Sequence, residues 1–309
     1  MSPAPRAGSQ PLVATKAPFA PSPLLRGVEA QIDKIGRLDR LDQAGEKIDQ
    51  LLRQPLRQPA ARNALSGTWF GHRLHPALTQ VATGALTSAV LVDLLAPRHP
   101  QIARRLIGLG LVAALPTAAT GLSDWLDVYG KARRVGLVHA AGNTLALMLF
   151  TRSFLHRGQL HKKRGKRGGG RLSALLGVAV LTASGYLGGH LAYAEGVGVD
   201  HTAFEPDLEE WTDVAAEEAV PDEGHLVVAA NGLELLLYRE GGRLRAISDR
   251  CSHAGWSLGK GKFENGCVTC PGHGSVFSLE DGQVLAGPAA SPQPCFEVRL
   301  REGRVEVRS

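Results

Sequence analysis

Two short segments decide the fold of the C-terminal third of the sequence: CSHAGW at residues 251–256 and CPGHGSVF at residues 270–277. Each segment pairs a cysteine with a histidine, in the spacings C-x-H and C-x-x-H, and 16 residues separate the two pairs. Thiolate and imidazole are side chains that bind iron and zinc in proteins. The pattern therefore predicts a metal centre. Its expected ligands are Cys251, His253, Cys270 and His273.

Short runs of strand-forming residues surround these segments, and turn sequences such as Asn231-Gly232 and Asp281-Gly282 separate the runs. Strands are predicted at residues 226–230, 233–239, 244–248, 267–270, 295–300 and 305–308. The alternation of runs and turns predicts a small antiparallel all-β domain over residues 213–309.

The paired motifs resemble the Rieske iron–sulfur family, in which one iron of a [2Fe–2S] cluster is held by two cysteines and the other by two histidines. By that resemblance Cys251 and Cys270 bind one iron, and His253 and His273 bind the other. Residues 287–294 are similar to the proline-containing loop that covers the cluster in this family. The resemblance places three further residues around the cluster: Ser275, Phe277 and Pro288.

A Cys2His2 zinc site is the alternative, although zinc fingers keep the cysteine pair and the histidine pair on separate elements. Cys267 and Cys295 remain outside the motifs. We interpret both as small strand residues, because Cys270 is already assigned to iron.

The sequence departs from the Rieske subunits of cytochrome bc-type complexes at informative positions. Those subunits commonly carry one extra cysteine in each cluster loop, and the two cysteines form a disulfide. Trp256 and Gly272 stand at the corresponding positions here, so no disulfide is expected. Phe277 replaces a tyrosine of the high-potential members, while Ser275 can still donate a hydrogen bond to a cluster sulfur. These departures favour the ferredoxin and oxygenase types of Rieske domain.

Rieske oxygenases add a catalytic domain with a mononuclear iron, held by two histidines and one carboxylate. Only 36 residues follow His273, too few for such a domain. We therefore expect one-electron transfer between a membrane-associated partner and another redox protein, without a substrate-oxidising domain in this chain. A redox or iron sensor is one alternative, and an electron-feeding component of a separate oxygenase is another.

The charge of the chain is divided by region. Residues 1–75 carry a net charge of +5, residues 76–194 carry +11, and residues 195–309 carry −10, which together give the net +6 of the chain. The acidic C-terminal part would repel phosphate, which argues against a nucleic-acid partner. Basic residues beside long apolar runs are instead typical of membrane flanks.

Four apolar stretches lie at residues 76–95, 106–122, 135–154 and 172–193. The fourth has no charged residue, and its length suffices for the roughly 20 residues of a spanning helix. We predict a four-helix transmembrane bundle over residues 66–195 in contact with lipid, in a bacterial cytoplasmic membrane. A soluble helical bundle is the alternative. The predicted fold class is thus α + β in separate domains.

The remaining segments receive simpler predictions. Residues 1–27 are rich in proline and are predicted to be a disordered tail. Residues 28–65 are predicted to be an amphipathic helical segment, packed on the protein, lying on the membrane or forming a homo-oligomer contact. Residues 196–212 are predicted to be an acidic linker, and the acidic stretch 205–223 a tether that orients a basic partner.

The side of the membrane is argued from the third loop. Residues 152–171 contain eight Lys and Arg, and the positive-inside tendency places this loop in the cytoplasm. With four spans, the β domain then lies outside, although a basic N-terminal region and a folded metal domain would have to cross. The sequence favours the outer side only slightly.

Residues 66–200 resemble an uncharacterised family of bacterial four-helix membrane domains, sometimes fused to a Rieske domain. The motifs GHRLHP at 71–76, GLSDW at 121–125 and GYLGGH at 185–190 carry this resemblance. Ionisable residues at membrane depth are candidates for function. They could bind a b-type haem, another metal or a quinone, or simply join helices by hydrogen bonds. The candidates at the end nearest the β domain are His72, His75, Asp124, Asp127, His139 and His190.

The missing disulfide and Phe277 predict a low cluster potential. Hydrogen bonds to cluster sulfurs raise the potential, and one donor is absent here. We expect a midpoint in the lower half of the range from about −150 to +300 mV. An EPR-monitored redox titration of the purified protein measures it. A midpoint above about +200 mV, near the top of that range, would contradict the interpretation.

Overall fold

The computed structural model describes residues 23–56, 58–159 and 169–309. Residues 1–22, which make up most of the predicted disordered tail, lie outside the described residues, as does the centre of the basic third loop. The described chain consists of a helical N-terminal region and an all-β C-terminal region. The helices are α1 Pro23–Gly36, α2 Arg40–Leu56, α3 Pro59–Ser66, α4 Leu74–Leu95, α5 Pro100–Trp125, α6 Gly130–Gln159 and α7 Gly169–Tyr193.

The predicted amphipathic segment, residues 28–65, lies in three helices. A turn at 37–39 separates α1 from α2, and Pro55 lies inside α2. These helices pack on the membrane half of the same chain. Arg134 of α6 binds the Asp42 carboxylate and the Gly36 carbonyl, the latter at 2.8 Å. The structure thus shows the packed arrangement among the predicted alternatives.

Among the described residues, three helices are long and apolar enough to cross a membrane: Leu74–Leu95, Pro100–Trp125 and Gly170–Tyr193. The predicted third span, 135–154, lies in α6, which is long enough but not apolar enough by the same criterion. His139, Asn143 and the basic residues toward both ends of α6 lower its hydropathy. The count of four spans is therefore not confirmed.

The helices α4 to α7 form two hairpins that repeat each other. Leu86 of α4 and Phe150 of α6 are 64 residues apart, and both are fully buried. Each packs into a notch at a glycine of the next helix, Gly110 for Leu86 and Gly177 for Phe150. A Cβ atom at Gly110 would lie 2.6 Å from the Leu86 side chain, so glycine permits the close helix contact.

A buried ion pair joins the two hairpins at the end far from the β domain. Asp93 of α4 and Arg157 of α6 are also 64 residues apart, and both side chains are 4% exposed. Arg157 donates to Asp93 from both terminal nitrogens, with Nη1 at 2.8 Å from Oδ1, and its Nε donates to Ser153. These hydrogen bonds satisfy the buried charges, as a stable buried pair requires.

The C-terminal region contains two antiparallel sheets. The six-stranded sheet has the order β1-β10-β9-β4-β3-β2, and the four-stranded sheet the order β5-β6-β7-β8. The strands are β1 Thr212–Ala216, β2 Gly224–Ala230, β3 Leu233–Glu240, β4 Arg243–Ser248, β5 Lys262–Glu264, β6 Cys267–Thr269, β7 Val276–Ser278, β8 Val284–Ala286, β9 Cys295–Arg301 and β10 Arg304–Arg308. The six predicted strands are present, and β1, β5, β7 and β8 were not predicted.

The acidic stretch before β1 is not a free tether. Leu208 is buried in the apolar core of the six-stranded sheet, with Val220 and Val305. Its N–H donates to the Ser309 hydroxyl at 2.8 Å. Glu205 accepts a hydrogen bond from Ser248 at 3.0 Å, and burial raises the pKa of its carboxyl. The prediction of a tether is wrong here because Leu208, Ala215 and Val220 of this stretch are buried in the core and residues 212–216 form strand β1.

The buried pair at the far end of the bundle predicts a large loss of stability when one partner is removed. Asp93→Ala leaves Arg157 buried without its counter-ion, which costs about 3–5 kcal/mol. Thermal unfolding of the detergent-purified protein measures the loss. Asp213→Ala removes an exposed partner of Arg304 and is the control, with an expected cost of about 0–1 kcal/mol. Equal losses in the two variants would contradict the assignment.

Candidate metal centre

Two loops with the same backbone hydrogen bonds form the candidate site. In the first, the Cys251 N–H donates to the Trp256 carbonyl and the Gly255 N–H to the Cys251 carbonyl, both at 2.8 Å. In the second, the Cys270 N–H donates to the Ser275 carbonyl at 2.8 Å and the Gly274 N–H to the Cys270 carbonyl at 3.0 Å. Gly255 and Gly274 both have left-handed backbones, with φ of 71° and 78°. Glycine adopts this conformation readily, which explains its place in both loops.

The two cysteines face each other, with backbone N–H groups directed at their sulfurs. The side-chain hydrogen bond between them raises the pKa of Cys251 and lowers the pKa of Cys270 to about 7. The N–H groups of residues 253 and 254 approach the first sulfur, and those of residues 272 and 273 approach the second. Such a cradle stabilises thiolate, the form that binds metal.

The two histidines form a second pair beside the cysteines. The rings of His253 and His273 lie edge to face, with centroids 4.9 Å apart, and each residue is 8% exposed. Burial, and then the positive charge of Arg73, hold the pKa of His253 well below its usual range. The ring is therefore neutral, as a metal ligand must be. Its Nδ1 is buried without a hydrogen-bond partner among the described residues.

Each loop of the site supplies one cysteine and one histidine, whereas zinc fingers keep the cysteine pair and the histidine pair on separate elements. A single zinc ion draws four ligands around one point. Within the described residues, no three His, Cys, Asp or Glu side chains converge on one ion. A cysteine pair beside a histidine pair is instead the donor set of two bridged irons. The ligand arrangement thus favours the cluster over the zinc alternative.

The proline-containing loop at residues 287–294 closes over the two cluster loops. The buried side chain of Gln293 accepts from the Ser252 N–H at 2.7 Å and donates to the carbonyls of Ser248 and Arg250. On the other side, the Ala289 N–H donates to the Ser275 hydroxyl oxygen at 3.0 Å, which leaves the hydroxyl proton available. Pro288 lies in this loop, after a cis peptide bond.

The predicted positions of the absent disulfide lie in contact with each other. A Cβ atom at Gly272 would stand 2.7 Å from Cγ of Trp256, so the indole fills the space between the loops. Cys251, Cys267, Cys270 and Cys295 are free cysteines, and Cys267 and Cys295 begin strands β6 and β9, as predicted. Phe277 is fully buried in the core beneath the site.

The membrane half covers the histidine pair. Asp127, in the short loop between α5 and α6, places its Oδ2 3.7 Å from His253 Nε2. Tyr129 of the same loop stacks on His273, with ring centroids 5.9 Å apart. Beside this contact, Thr68 Oγ1 donates to the Ala289 carbonyl at 2.9 Å, and the Gly287 N–H donates to Asn63 Oδ1 at 2.7 Å. The histidine edge is therefore enclosed within the chain.

Comparison with known families agrees with this geometry. Residues 210–297 match the family model described as Rieske [2Fe-2S] domain, and residues 71–201 match the one described as Predicted membrane protein (DUF2231). The anthranilate 1,2-dioxygenase ferredoxin subunit of Burkholderia cepacia is 30% identical over 103 residues, which cover 33% of this chain and 95% of that protein. The chain belongs to the Rieske [2Fe–2S] family. A Rieske domain implies a [2Fe–2S] cluster, and the buried, unbonded Nδ1 of His253 fits a ligand of such a cluster.

Other ferredoxins match the same Rieske region. Ferredoxin CarAc of Metapseudomonas resinovorans is 33% identical over 93 residues, covering 30% of this chain and 87% of its own length. The solved ferredoxin of carbazole 1,9a-dioxygenase from Nocardioides aromaticivorans IC177 is 25% identical and covers 32% of this chain and 98% of its own, with a TM-score of 0.31.

The predicted membrane residues form separate hydrogen bonds and ion pairs, although charge interactions connect His75 to both Asp124 and His139. His75 Nδ1 lies 2.9 Å from the Thr117 carbonyl, and His139 Nδ1 lies 2.8 Å from the Ser184 carbonyl. The two rings rest on glycines of the neighbouring helices. Four candidates remain: Asp124 pairs with Arg73, His190 pairs with Glu195, Asp127 lies beside His253, and His72 is exposed.

The sequence interpretation missed the roles of several residues around the Rieske site. Asp127 was named only as a membrane candidate, because nothing local connects it to a histidine 126 residues later. The glutamine between two prolines was a possible signal, since an amide in a rigid loop often bonds backbone groups. The missed residues are Arg62, Asn63, Thr68, Tyr129 and Gln293.

The contact of Gly272 with Trp256 predicts a steric dependence between the two loops. Gly272→Ala forces the loops apart at an expected cost of about 1–3 kcal/mol, and the cluster is lost at a lower temperature. The visible absorption of the cluster, followed on heating, measures this loss. Adding Trp256→Gly removes the clash and is expected to restore part of the lost temperature. A double variant no better than Gly272→Ala would contradict the explanation.

Proposed function

We propose that this protein is a membrane-anchored Rieske protein that transfers one electron at a time between a membrane-associated partner and another redox protein. The observation that carries the proposal is the cysteine pair beside the histidine pair at the tips of two matched loops. The relatedness to ferredoxin subunits of dioxygenase systems supports a role in electron transfer.

Each proposed ligand has a supporting structure. Cys251 and Cys270 bind one iron as thiolates, and His253 and His273 bind the other as neutral rings; the bound cluster supplies a one-electron carrier. The backbone N–H groups near both sulfurs stabilise their negative charge. The Ser275 hydroxyl is placed to donate its proton toward a cluster sulfur, since its oxygen already accepts a hydrogen bond from the Ala289 N–H.

We propose that α6 also spans the membrane, which brings the number of spans to four. Lys131 at its start binds Glu195, just after α7, at 2.9 Å, and Ser153 near its end donates to the Gly170 carbonyl at the start of α7 at 2.6 Å. Helix α6 therefore runs antiparallel to α7 along the full length of α7. Helix α7 is one of the three candidate spans. In a lipid bilayer, the polar groups of α6 would be shielded by neighbouring helices.

The proposed orientation follows from the basic loop after α6. The eight Lys and Arg of residues 152–171, which include the end of α6 and the start of α7, favour the cytoplasmic side of a bacterial cytoplasmic membrane, so the Rieske domain would lie on the outer side. The domain packs on the membrane end through residues 126–129 and 63–68, which supports anchoring close to the bilayer surface.

An electron-feeding role for a separate oxygenase is the second candidate, favoured by the names of the related ferredoxins. In this chain the histidine edge is covered by Asp127 and Tyr129. An external oxygenase would have to approach another edge or displace the membrane half. The covered edge therefore favours a partner that acts at the membrane.

The proposal includes neither a haem nor a quinone among the membrane histidines, and no homo-oligomer through the N-terminal helices. Hydrogen bonds to Thr117 and Ser184 account for the positions of His75 and His139 as links between helices. The N-terminal helices are occupied by contacts with α6 of the same chain.

The ligand assignment is tested by EPR of the reduced full-length protein, with iron and zinc analysis. We expect a Rieske-type signal in the wild type and its loss in Cys251→Ala and His253→Ala. Cys267→Ala and Cys295→Ala are the matched controls and are expected to keep the signal. A wild type that contains zinc instead of iron, or a control that loses the signal, would contradict the proposal.

A further inference from the structure

Asp127 of the membrane half places its carboxylate beside a proposed cluster ligand, His253. Its side chain and that of His253 are each 5% exposed, and Oδ2 of the first lies 3.7 Å from Nε2 of the second. The other ring nitrogen, Nδ1, is buried and has no hydrogen-bond partner in the part of the chain that the structure describes. Nδ1 is thus available to bind iron, and the Asp127 carboxylate lies beside Nε2.

A cation holds that carboxylate in place. Arg62 of α3 forms an ion pair with Asp127 and is itself only 11% exposed. A second pair, Arg73 with Asp124 at 2.9 Å, lies in the same region. The positive charges of Arg62 and Arg73 both act on His253. The outer edge of His253 therefore lies beside the Asp127 carboxylate and within the field of both arginines.

Charges at such a buried edge act strongly on a redox centre, because little water screens them. A carboxylate stabilises the more positive, oxidised state and lowers the midpoint potential. An arginine stabilises the reduced state and raises it. The Asp127 carboxylate lies 3.7 Å from Nε2 of His253, beyond hydrogen-bond distance, so its effect on this ligand is electrostatic.

We propose that Asp127 is a positioning residue for His253 that lowers the midpoint potential of the Rieske centre, and that Arg62 opposes it. This inference rests on the proposed function, because it assumes that His253 binds the cluster. It makes the membrane half part of the redox centre and gives the fusion of the two domains a chemical role beyond anchoring.

The test is an EPR-monitored redox titration of the full-length protein, wild type and variants, at one pH. Asp127→Asn is expected to raise the midpoint by a tenfold change or more in the reduction equilibrium, about 59 mV for one electron. Arg62→Gln is expected to lower it. Asp213→Asn, on the far sheet edge at β1, is the control and is expected to leave it unchanged.

Opposite shifts separate electrostatics from damage, since a distorted site would move both variants the same way. Asp127→Glu keeps the carboxylate and is expected to stay close to the wild type, which covers the case of poor folding in Asp127→Asn. Unchanged midpoints in Asp127→Asn and Arg62→Gln, or shifts of the same sign, would overturn the inference. A wild type without a Rieske signal would instead overturn the proposed function.

Discussion

The close approach of two loops is the constraint on which the C-terminal half depends. Each loop closes on itself through the same two backbone hydrogen bonds, and each needs a glycine with a left-handed backbone at its turn. Gly272 then has to remain without a side chain, since Trp256 occupies the space beside it. Under this constraint the two cysteines come together on one side and the two histidines on the other.

The rest of the fold serves to hold and enclose these loops. The four-stranded sheet carries the second cluster loop between β6 and β7. The proline-containing loop at residues 287–294 forms hydrogen bonds to both cluster loops through Gln293 and Ala289. The helical half closes the remaining edge with Asp127 and Tyr129. The two helical hairpins hold the loop between α5 and α6 in position. Close contacts at Gly110 and Gly177 and the buried Asp93–Arg157 pair join the helices to one another.

The sequence predicted the features that depend on neighbouring residues. The Cys–His spacings, the turn glycines and the alternating strands all lie within a few residues of each other, and the Rieske and membrane families followed from them. Contacts between distant residues could not be predicted, because no local pattern connects Asp127 to His253 or Asn63 to Gly287. The acidic stretch was misinterpreted for a related reason: its charge concealed the apolar Leu208, whose burial depends on β10. Helix α6 is a different case. Its own hydropathy falls below the criterion for a membrane span, yet it packs along α7, which meets that criterion.

If the membrane half encloses the histidine edge, water-soluble species have little access to the reduced centre, and this access can be measured. The EPR signal of the full-length protein in lipid nanodiscs would be recorded with and without a water-soluble dysprosium complex as relaxing agent. The same measurement on the anthranilate 1,2-dioxygenase ferredoxin subunit, 95% of which is covered by the match to this chain, gives the reference. Our account predicts much weaker relaxation in the full-length protein than in the ferredoxin. Equal relaxation in the two proteins would show that the membrane half does not cover the centre.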